Sequence, residues 1–375
     1  MTKKKKRFLF LITHYVPHVY GAELFAQNVA EYLAKEGHRV DLVTGHWNSS
    51  WKRQEVINGV SVYRVSVVKI RFIQTLYFIL PQFWQAQKLI QRKDYDIIHA
   101  HIFPSLVTGA LLTSKAKKIL TIQGGDLADY PEIYGPAAPI LKKIIGLCIR
   151  KYHIVHAVSQ DLRKQIQKLS NVTAQVIPNG VDSRLLIKNS HVANKRDLFP
   201  KTKYVLFSPS RLTNKNNLLE TIKAIKLVRD TGLDVGLVIA GEGHQQEVIT
   251  HLIKEKKLTK QVILLGHVSH KDSLALSSQA DSVIRVSSQE GFGISLLEGL
   301  AVGTTVIASQ AGGLKDFIKP EHAYVVKDPK AKSISDTIVR ALSDKNRHKK
   351  ITRAQELVRQ SYTWQKVLEA LMKFY

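Results

Sequence analysis

Short apolar runs alternate along the whole chain with longer stretches in which apolar residues recur at helical spacing. The run "RFLFLIT" at residues 7–13, for example, is followed at 22–37 by "AELFAQNVAEYLAKEG", where Ala26, Val29 and Leu33 recur at that spacing. Strand-helix alternation of this kind predicts a parallel sheet with helices packed on both of its faces.

The alternation falls into two sets of strand-like runs. The first set is "RFLFLIT", "HRVDLVT", "DIIHAHI", "KKILTIQG", "HIVHAVS" and "AQVIPNG"; the second is "YVLFSPS", "DVGLVIAG", "QVILLGH", "DSVIRVSS", "TTVIASQ" and "AYVVKD". Residues 183–203 between the sets show no clear period, and 375 residues exceed what one hydrophobic core usually organises. We therefore predict an α/β protein with two Rossmann-like doubly wound domains, 1–182 and 204–358, joined by a linker at 183–203. The domains are expected to face each other across a cleft that holds the ligand.

Composition favours a cytoplasmic protein. The chain has a single cysteine, Cys148, so a disulfide framework is excluded and a reducing compartment fits. The start "MTKKKKRFLFLITHYVP" mimics a signal peptide, but its apolar run "FLFLI" is shorter than the roughly 7–15 residues of a signal core. No apolar stretch approaches the roughly 20 residues that a membrane span needs.

The formal net charge is +26 at pH 7, which concerns the partners of the protein rather than its fold. An excess of this size suits nucleic acid, an anionic membrane or a phosphorylated substrate. The basic residues are spread along the chain rather than gathered in blocks, and no recognised nucleic-acid motif is present. Nucleic acid is therefore the less favoured partner.

Two glutamates, Glu290 and Glu298, flank a glycine-containing turn in "EGFGISLLEG" at 290–299. Glu290 follows a predicted strand, and Glu298 lies about one turn into the next helix. Ionised carboxylates accept hydrogen bonds, which vicinal sugar hydroxyls donate. The alternative is an ordinary glutamate near a helix N-terminus together with a solvated one.

Between the glutamates, the backbone amides of Phe292, Gly293 and Ile294 are expected at the N-terminus of this helix. Such amides and the helix dipole favour an anion, for example a phosphate. A carboxylate pair around an anion site suits a sugar nucleotide, with one glutamate on ribose, the other on a hexose and the phosphates between them.

The sequence resembles the retaining nucleotide-sugar glycosyltransferases of the large bacterial group 1 / family 4 type, which have the GT-B fold. The resemblance rests on "EGFGISLLEGLAVGTTVIASQAGGLKDFI", "YGAELFAQNVAEYLAKEGHRVDLVT", "DIIHAH", "VIPNGVD", "SRLTNKNNLLETIKAI" and "VIAGEGHQQE". It covers nearly the whole chain and includes the terminal "YTWQKVLEALMKFY". It therefore implies a C-terminal helix, residues 359–375, that packs back on the first domain.

The resemblance implies roles for several residues on the donor side of the site. Arg211 and Lys215 are expected to clamp the donor diphosphate, a role that suits a forked guanidinium and a compact ammonium. Gly21, after the first strand, is expected to bring its amide to the phosphates. Glu298 is expected on the ribose and Glu290 on the transferred sugar. The alternatives are solvated loop cations and an ordinary tight turn.

The acceptor side is less defined by the sequence. Gln123 stands where many members of the family have a histidine, and Asp126 is the nearest carboxylate. His101, at the end of "DIIHAHI", could approach the acceptor or be purely structural. A diphosphate balanced by side chains and amides needs no metal, and the Asp94-x-Asp96 pair precedes a strand on the side away from the predicted cleft. Neither a metal nor another cofactor is therefore expected.

Other interpretations stay open at this stage. The aromatic and basic stretch 69–93 could lie on an anionic membrane surface or form a core helix pair of the first domain. An enzyme of the same fold with other chemistry, such as a nucleotide-sugar epimerase or a phosphorylase, is an alternative to transfer. The favoured function is metal-independent, retaining transfer of a hexose from a nucleoside-diphosphate sugar to a glycan, lipid-linked or small-molecule acceptor.

Overall fold

The computed structural model describes residues 5–17, 21–68, 70, 73–124, 135–186 and 196–375. Asp126 and part of the predicted linker, residues 187–195, lie outside the described residues. Contacts divide the chain into two compact units. Unit 1 is Met1–Asn179 with Leu368–Tyr375, and unit 2 is Gly180–Val367.

The described residues of unit 1 form an eight-stranded sheet with the order β3-β4-β2-β1-β5-β6-β7-β8. The central strand β1 pairs in parallel with β2 on one side and with β5 on the other. The strands are β1 (Arg7–Leu11), β2 (Arg39–Gly45), β3 (Gln54–Ile57), β4 (Val60–Val65), β5 (Ile97–His101), β6 (Lys117–Ile122), β7 (Ile154–Ala157) and β8 (Gln175–Val176). All six runs predicted for the first domain form strands of this sheet.

The hairpin β3–β4 was not predicted, and it is the antiparallel part of the unit 1 sheet. Its turn is Asn58-Gly59, and both residues have positive φ, 48° and 84°. Asn-Gly is the preferred pair for a two-residue hairpin turn because both of its central residues need this conformation. Residues 58–59 therefore carry a hairpin signal in the sequence itself.

Helices cover both faces of the unit 1 sheet. They are α1 (Gly21–Lys35), α2 (Ile73–Arg92), α3 (Ser105–Leu111), α4 (Ala138–Ile149) and α5 (Gln160–Ser170). The connection from β1 to β2 runs toward the β3 edge of the sheet, whereas the connections from β4 onward run toward the β8 edge. Because such crossovers are right-handed, α2, α3, α4 and α5 share one face and α1 lies on the other. The stretch 69–93 accordingly contributes one long helix, α2, and not the helix pair considered from the sequence.

Unit 2 contains a six-stranded parallel sheet with the order β11-β10-β9-β12-β13-β14. The strands are β9 (Tyr204–Pro209), β10 (Val235–Ala240), β11 (Val262–Leu264), β12 (Ser282–Arg285), β13 (Thr305–Ser309) and β14 (Tyr324–Val326). The helices are α6 (Leu218–Asp230), α7 (Gln246–Glu255), α8 (His270–Gln279), α9 (Ile294–Ala301), α10 (Ala331–Ser343) and α11 (Arg347–Ser361). A last helix, α12 (Trp364–Leu371), begins in unit 2 and continues into the C-terminal segment of unit 1. The six runs predicted for the second domain all form strands, so the prediction of two parallel-sheet α/β domains is confirmed.

The C-terminal segment differs from the single helix predicted at 359–375. Helix α11 ends at Ser361, and α12 begins at Trp364. The break arises because Val181 forms a bridge with Thr363, in which Val181 donates to the Tyr362 carbonyl at 2.8 Å and Trp364 donates to the Val181 carbonyl at 3.0 Å. Beyond α12, the chain ends against the core of unit 1, where the Tyr375 hydroxyl lies 2.6 Å from His99 Nδ1.

Candidate functional site

The residues predicted to bind the donor in unit 2 lie in loops at the carboxyl edge of its sheet. Arg211 and Lys215 are in the loop that follows β9, and Glu290 is in the loop that follows β12. These two strands are neighbours in the sheet, so their loops leave the same edge side by side. Ligands of doubly wound sheets bind beyond this edge.

Hydrogen bonds fasten the loop of the two cations to the loop of Glu290. The Ser288 amide donates to the Lys215 carbonyl at 2.7 Å. Asn216 donates from Nδ2 to the Arg211 carbonyl at 2.7 Å and accepts from the Ser287 hydroxyl at 3.2 Å. Because backbone groups and a buried Asn216 make these bonds, the two loops hold a fixed mutual position.

Glycines allow the loop after β10 to approach the Arg211 loop closely. A Cβ on Gly241 would lie 2.2 Å from the Ser210 carbonyl oxygen, and one on Gly243 would lie 2.3 Å from that of Leu212. The Leu212 amide donates to the Glu242 carbonyl at 3.0 Å. The glycines of "GEGHQQ" therefore let their loop pack closely against the Arg211 loop.

The turn between Glu290 and α9 also depends on glycine. Gly293 has φ of +87° and is the N-cap of α9, and a Cβ there would lie 2.4 Å from Leu314 Cδ2. Gly312, from the next loop, passes so close that a Cβ on it would lie 2.1 Å from the Glu290 carbonyl oxygen. The loop that follows β13 thus packs directly against the backbone of 290–293.

The amides of 292–294 have the environment expected for anion binding. The Phe292 side chain is 2% exposed, and its ring centroid lies 5.2 Å from that of Phe317, so the ring belongs to the core and any ligand contact of Phe292 would use its backbone. Ile294 begins α9, and the amides of Leu296 and Leu297 already donate to the Gly293 carbonyl at 3.0 and 3.3 Å, so the amides before them are the ones at the open end of the helix. The positive end of the helix dipole therefore adjoins this turn.

Glu290 forms an ion pair that the sequence analysis missed. Arg285 Nη2 lies 2.8 Å from Glu290 Oε2, and both side chains are 13% exposed. Arg285 Nη1 also donates to the Ser295 hydroxyl at 2.9 Å and to the Pro209 carbonyl at 3.4 Å. Arg285 thereby links the Glu290 carboxylate to the first turn of α9 and to the end of β9. The available signal was a cation at the carboxyl end of the otherwise apolar strand "SVIR".

Glu298 has a partner that was also missed. It is 5% exposed, and its Oε1 lies 2.6 Å from Nε2 of His270, the first residue of α8. The hydrogen bond to Glu298 raises the pKa of His270 above its usual value and outweighs burial, which lowers that pKa. The charged imidazolium is therefore favoured next to the carboxylate, and it anchors one of the two carboxylate oxygens.

Further cations lie beside the Glu290 loop. Lys315, Lys319 and Lys327 line a groove that also contains Ser287, in the loop after β12, and Ser309, the last residue of β13. With Arg211 and Lys215 they give this edge of unit 2 a positive character, which favours a multiply charged anion such as a diphosphate.

In unit 1, the predicted residues have different environments. Gly21 is the exposed first residue of α1, and Gln123 directly follows β6 and is 9% exposed. His101 is fully buried, with its ring centroid 4.0 Å from that of His99. Burial and the nearby His156 lower the pKa of His101 to about 3. These properties favour the structural role for His101, and Asp126 lies outside the described residues.

Within the described residues, no group of three or more His, Cys, Asp or Glu side chains could hold a metal ion. Asp96 accepts from the Arg7 amide at 2.7 Å, and the carbonyl of Asp94 accepts from Arg7 Nη1 at 3.2 Å. These contacts give the Asp94-x-Asp96 pair a structural role next to β1. Independence from metal stays a prediction.

Two family models match successive parts of the chain. The one described as "Glycosyltransferase Family 4" matches residues 19–185, and the one described as "Glycosyl transferases group 1" matches residues 191–357. The N-acetyl-alpha-D-glucosaminyl L-malate synthase of Bacillus anthracis is 24% identical over 371 residues, which cover 96% of this chain and 94% of that protein. The matches thus extend over both units.

Solved structures resemble the chain over its full length. The sucrose-phosphate synthase from Thermosynechococcus elongatus aligns with a TM-score of 0.84 and 19% identity, over 99% of this chain and 98% of that one. Anabaena Alr3699/HepE, in complex with UDP and glucose, aligns with a TM-score of 0.78 and 19% identity, over 98% of this chain and 99% of that one. At these identities the likeness establishes the fold.

Proposed function

Because the chain belongs to the group 1 glycosyltransferases and has the GT-B fold, we propose that it transfers a hexose from a nucleoside-diphosphate sugar. The acceptor is a glycan, a lipid-linked sugar or a small molecule. The structure of Anabaena Alr3699/HepE with UDP and glucose supports a donor of this class. The curated relative from Bacillus anthracis, whose name contains an N-acetylglucosaminyl group, keeps hexosamines among the candidate sugars.

The observation that carries the proposal is the arrangement of the loops at the carboxyl edge of unit 2. Arg211 and Lys215 share a loop that is hydrogen-bonded to the loop of Glu290, and the amides of 292–294 follow directly. Departure of the diphosphate leaves negative charge, so preorganised cations and amides are expected to supply the main catalytic effect. Glu298 then holds the ribose and Glu290 the hydroxyls of the transferred sugar.

Retention of the anomeric configuration and independence from metal are parts of the same proposal. Arg211, Lys215 and the helix N-terminus can balance a diphosphate without a divalent cation. Retention by attack on the same face of the sugar needs no carboxylate nucleophile. Proton NMR of the product reports the configuration of the new glycosidic bond, and an inverted product would refute this part of the proposal alone.

We further propose that the protein works in the cytoplasm at the inner face of an anionic membrane, without crossing it. The net charge of +26 favours that surface. Among the described residues, no helix is long and apolar enough to cross a membrane. The protein would then reach a lipid-linked acceptor from the membrane surface.

A thermal-shift screen tests the donor class. The panel contains UDP, GDP and ADP with their hexose and N-acetylhexosamine derivatives. A ligand at 100 times its dissociation constant stabilises the folded state by about 2.7 kcal/mol, which raises the melting temperature by several degrees. At least one nucleotide and its sugar are expected to do so. No shift and no donor turnover across the panel would refute the proposed function.

The screen is repeated with a variant of the site and a matched control. Arg211→Ala removes a cation of the Glu290 edge, whereas Arg353→Ala removes an exposed cation of α11 in the same unit. The shift caused by nucleotides should fall in the first variant and persist in the second. Equal shifts in both would show that the nucleotides bind elsewhere.

A further inference from the structure

Helix α2 has two apolar faces. Phe78, Gln82 and Ala86 are fully buried against the unit 1 sheet, where Gln82 donates to the Val43 carbonyl at 3.0 Å. The opposite face exposes large apolar side chains: Leu76 at 55%, Tyr77 at 39%, Leu80 at 60% and Trp84 at 67%. Positions 76, 80 and 84 follow one another at i, i+4 spacing, so they form a continuous stripe.

Helix α4 carries a second stripe of the same kind. Leu141, Ile145 and Ile149 are buried, whereas Ile140 is 67%, Ile144 44% and Leu147 52% exposed. The exposed residues lie at i, i+4 and i+7, which is one face of a helix.

The two stripes belong to one surface. Helix α3 lies between α2 and α4 and packs against both, and it ends in the exposed Leu111. Because right-handed crossovers place the three helices on one face of the sheet, their exposed sides point away from the sheet in the same general direction. We call this surface, formed by the exposed residues of α2, α3 and α4, the apolar helix surface. Exposed apolar side chains gathered on one side of a domain in this way mark interaction sites.

The charge of the apolar helix surface has a single sign. The segments Ile73–Arg92, Ser105–Leu111 and Ala138–Ile149 contain no aspartate or glutamate. They carry the cations Lys88, Arg92, Lys142 and Lys143, and the exposed Lys115 follows α3. Exposed Leu, Ile and Trp side chains that are interspersed with cations match the composition of helices that lie in a bilayer interface.

We propose that the apolar helix surface docks on an anionic lipid bilayer. The apolar side chains would enter the boundary between headgroups and acyl chains, while the cations contact lipid phosphates. A second copy of the chain fits less well, because a symmetric dimer through this surface would set the cations of one copy against those of the other, and the three helices contain no carboxylates to compensate them. This inference deepens the membrane contact in the proposed function, and its test needs no sugar nucleotide.

Cosedimentation with lipid vesicles tests the apolar part of the surface. The unchanged chain should bind phosphatidylcholine vesicles that contain phosphatidylglycerol and should bind pure phosphatidylcholine much less. Leu80→Gln/Trp84→Gln/Ile144→Gln should weaken this binding about 1,000-fold or more, since burial of each such side chain contributes at least a factor of about 12, or about 1.5 kcal/mol. The matched control Val56→Gln/Val248→Gln changes side chains that are 69% and 54% exposed elsewhere and should bind as before.

The charge part of the surface is tested in the same assay. Lys88→Gln/Lys143→Gln should weaken binding about 25-fold, because one cation near an anionic surface contributes about 1 kcal/mol, or a factor of about 5. Lys254→Gln/Lys260→Gln removes two exposed lysines of unit 2 and should have little effect. Binding should also fall at high salt, where the Debye length shortens from about 10 Å at 0.1 M to about 3 Å at 1 M.

Three outcomes would overturn the inference. The first is equal binding of the unchanged chain and the triple apolar variant to anionic vesicles. The second is the absence of any vesicle binding by the unchanged chain. The third is a stable dimer in gel filtration that the triple variant dissolves, because the surface would then serve self-association. Thermal unfolding and nucleotide affinity of the variants should match the unchanged chain, so a failure here leaves the proposed transfer reaction standing.

Discussion

The division of labour between the two glutamates gives the sharpest test of the site. The perturbations are Glu298→Gln and Glu290→Gln, each of which keeps the size of the side chain and replaces a charged acceptor by a neutral amide. If Glu298 holds the ribose, its replacement should weaken both the bare nucleoside diphosphate and the intact donor. If Glu290 holds the transferred sugar, its replacement should spare the bare nucleoside diphosphate.

The structure sets the size of the first effect. Glu298 Oε1 is engaged by His270 at 2.6 Å, so one oxygen is left for the ribose. One hydrogen bond to a charged group contributes about 1.5–3 kcal/mol, which corresponds to about a 10- to 150-fold loss of affinity. Glu290 already pairs with Arg285 at 2.8 Å, and its replacement should lower turnover and donor affinity without moving the affinity for nucleoside diphosphate by more than about twofold.

Calorimetric titration of both variants with nucleoside diphosphate and with intact donor measures these effects directly. Thermal unfolding of each free variant serves as the control for folding. The assignment fails if Glu290→Gln weakens the bare nucleoside diphosphate as strongly as Glu298→Gln does. Both carboxylates would then bind the nucleotide, and another residue would have to recognise the sugar.

Three further predictions concern the diphosphate clamp, the need for metal and the partner of Glu298. Arg211→Ala should lower turnover by about 10²–10³, the scale of one lost oxyanion partner, with an unchanged melting temperature; near-normal turnover would remove Arg211 from the site. Activity should survive EDTA, whereas complete loss that Mg²⁺ or Mn²⁺ restores would reopen the case for Asp94 and Asp96. NMR titration should find the pKa of His270 raised in the unchanged chain and closer to its usual value in Glu298→Gln. Because the folded-state pKa is the higher one, the pair stabilises the fold at low pH, and this contribution should fade as the pH rises through that pKa.

The strand pattern of the fold could be predicted because buried parallel strands leave a simple signal. Both predicted sets of six runs form strands, since β-branched apolar runs of this length have few other stable structures. The β3–β4 hairpin was not predicted, because its residues alternate in burial and do not form an apolar run. The sequence feature that predicts this hairpin is its Asn58-Gly59 turn.

The site could be predicted only in part. The sequence order places Glu290 after a strand and Glu298 in a helix, so their predicted positions followed from local pattern alone. Arg285 and His270 were missed because their contacts join residues of different elements, β12 with its following loop and α8 with α9. For His101 the sequence left an acceptor contact and a structural role open for a related reason. The choice depends on tertiary contacts, in which Phe10, Phe25 and His99 surround its ring.

A crystal structure of the complex with a nucleoside diphosphate from the thermal-shift screen tests the central claim most directly. The phosphates should lie within hydrogen-bond distance of Arg211, of Lys215 and of at least one amide of residues 292–294, and the ribose hydroxyls should reach Glu298. A nucleotide that binds away from the carboxyl edge of the unit 2 sheet, or that leaves Arg211 and Lys215 without a phosphate contact, would contradict the account.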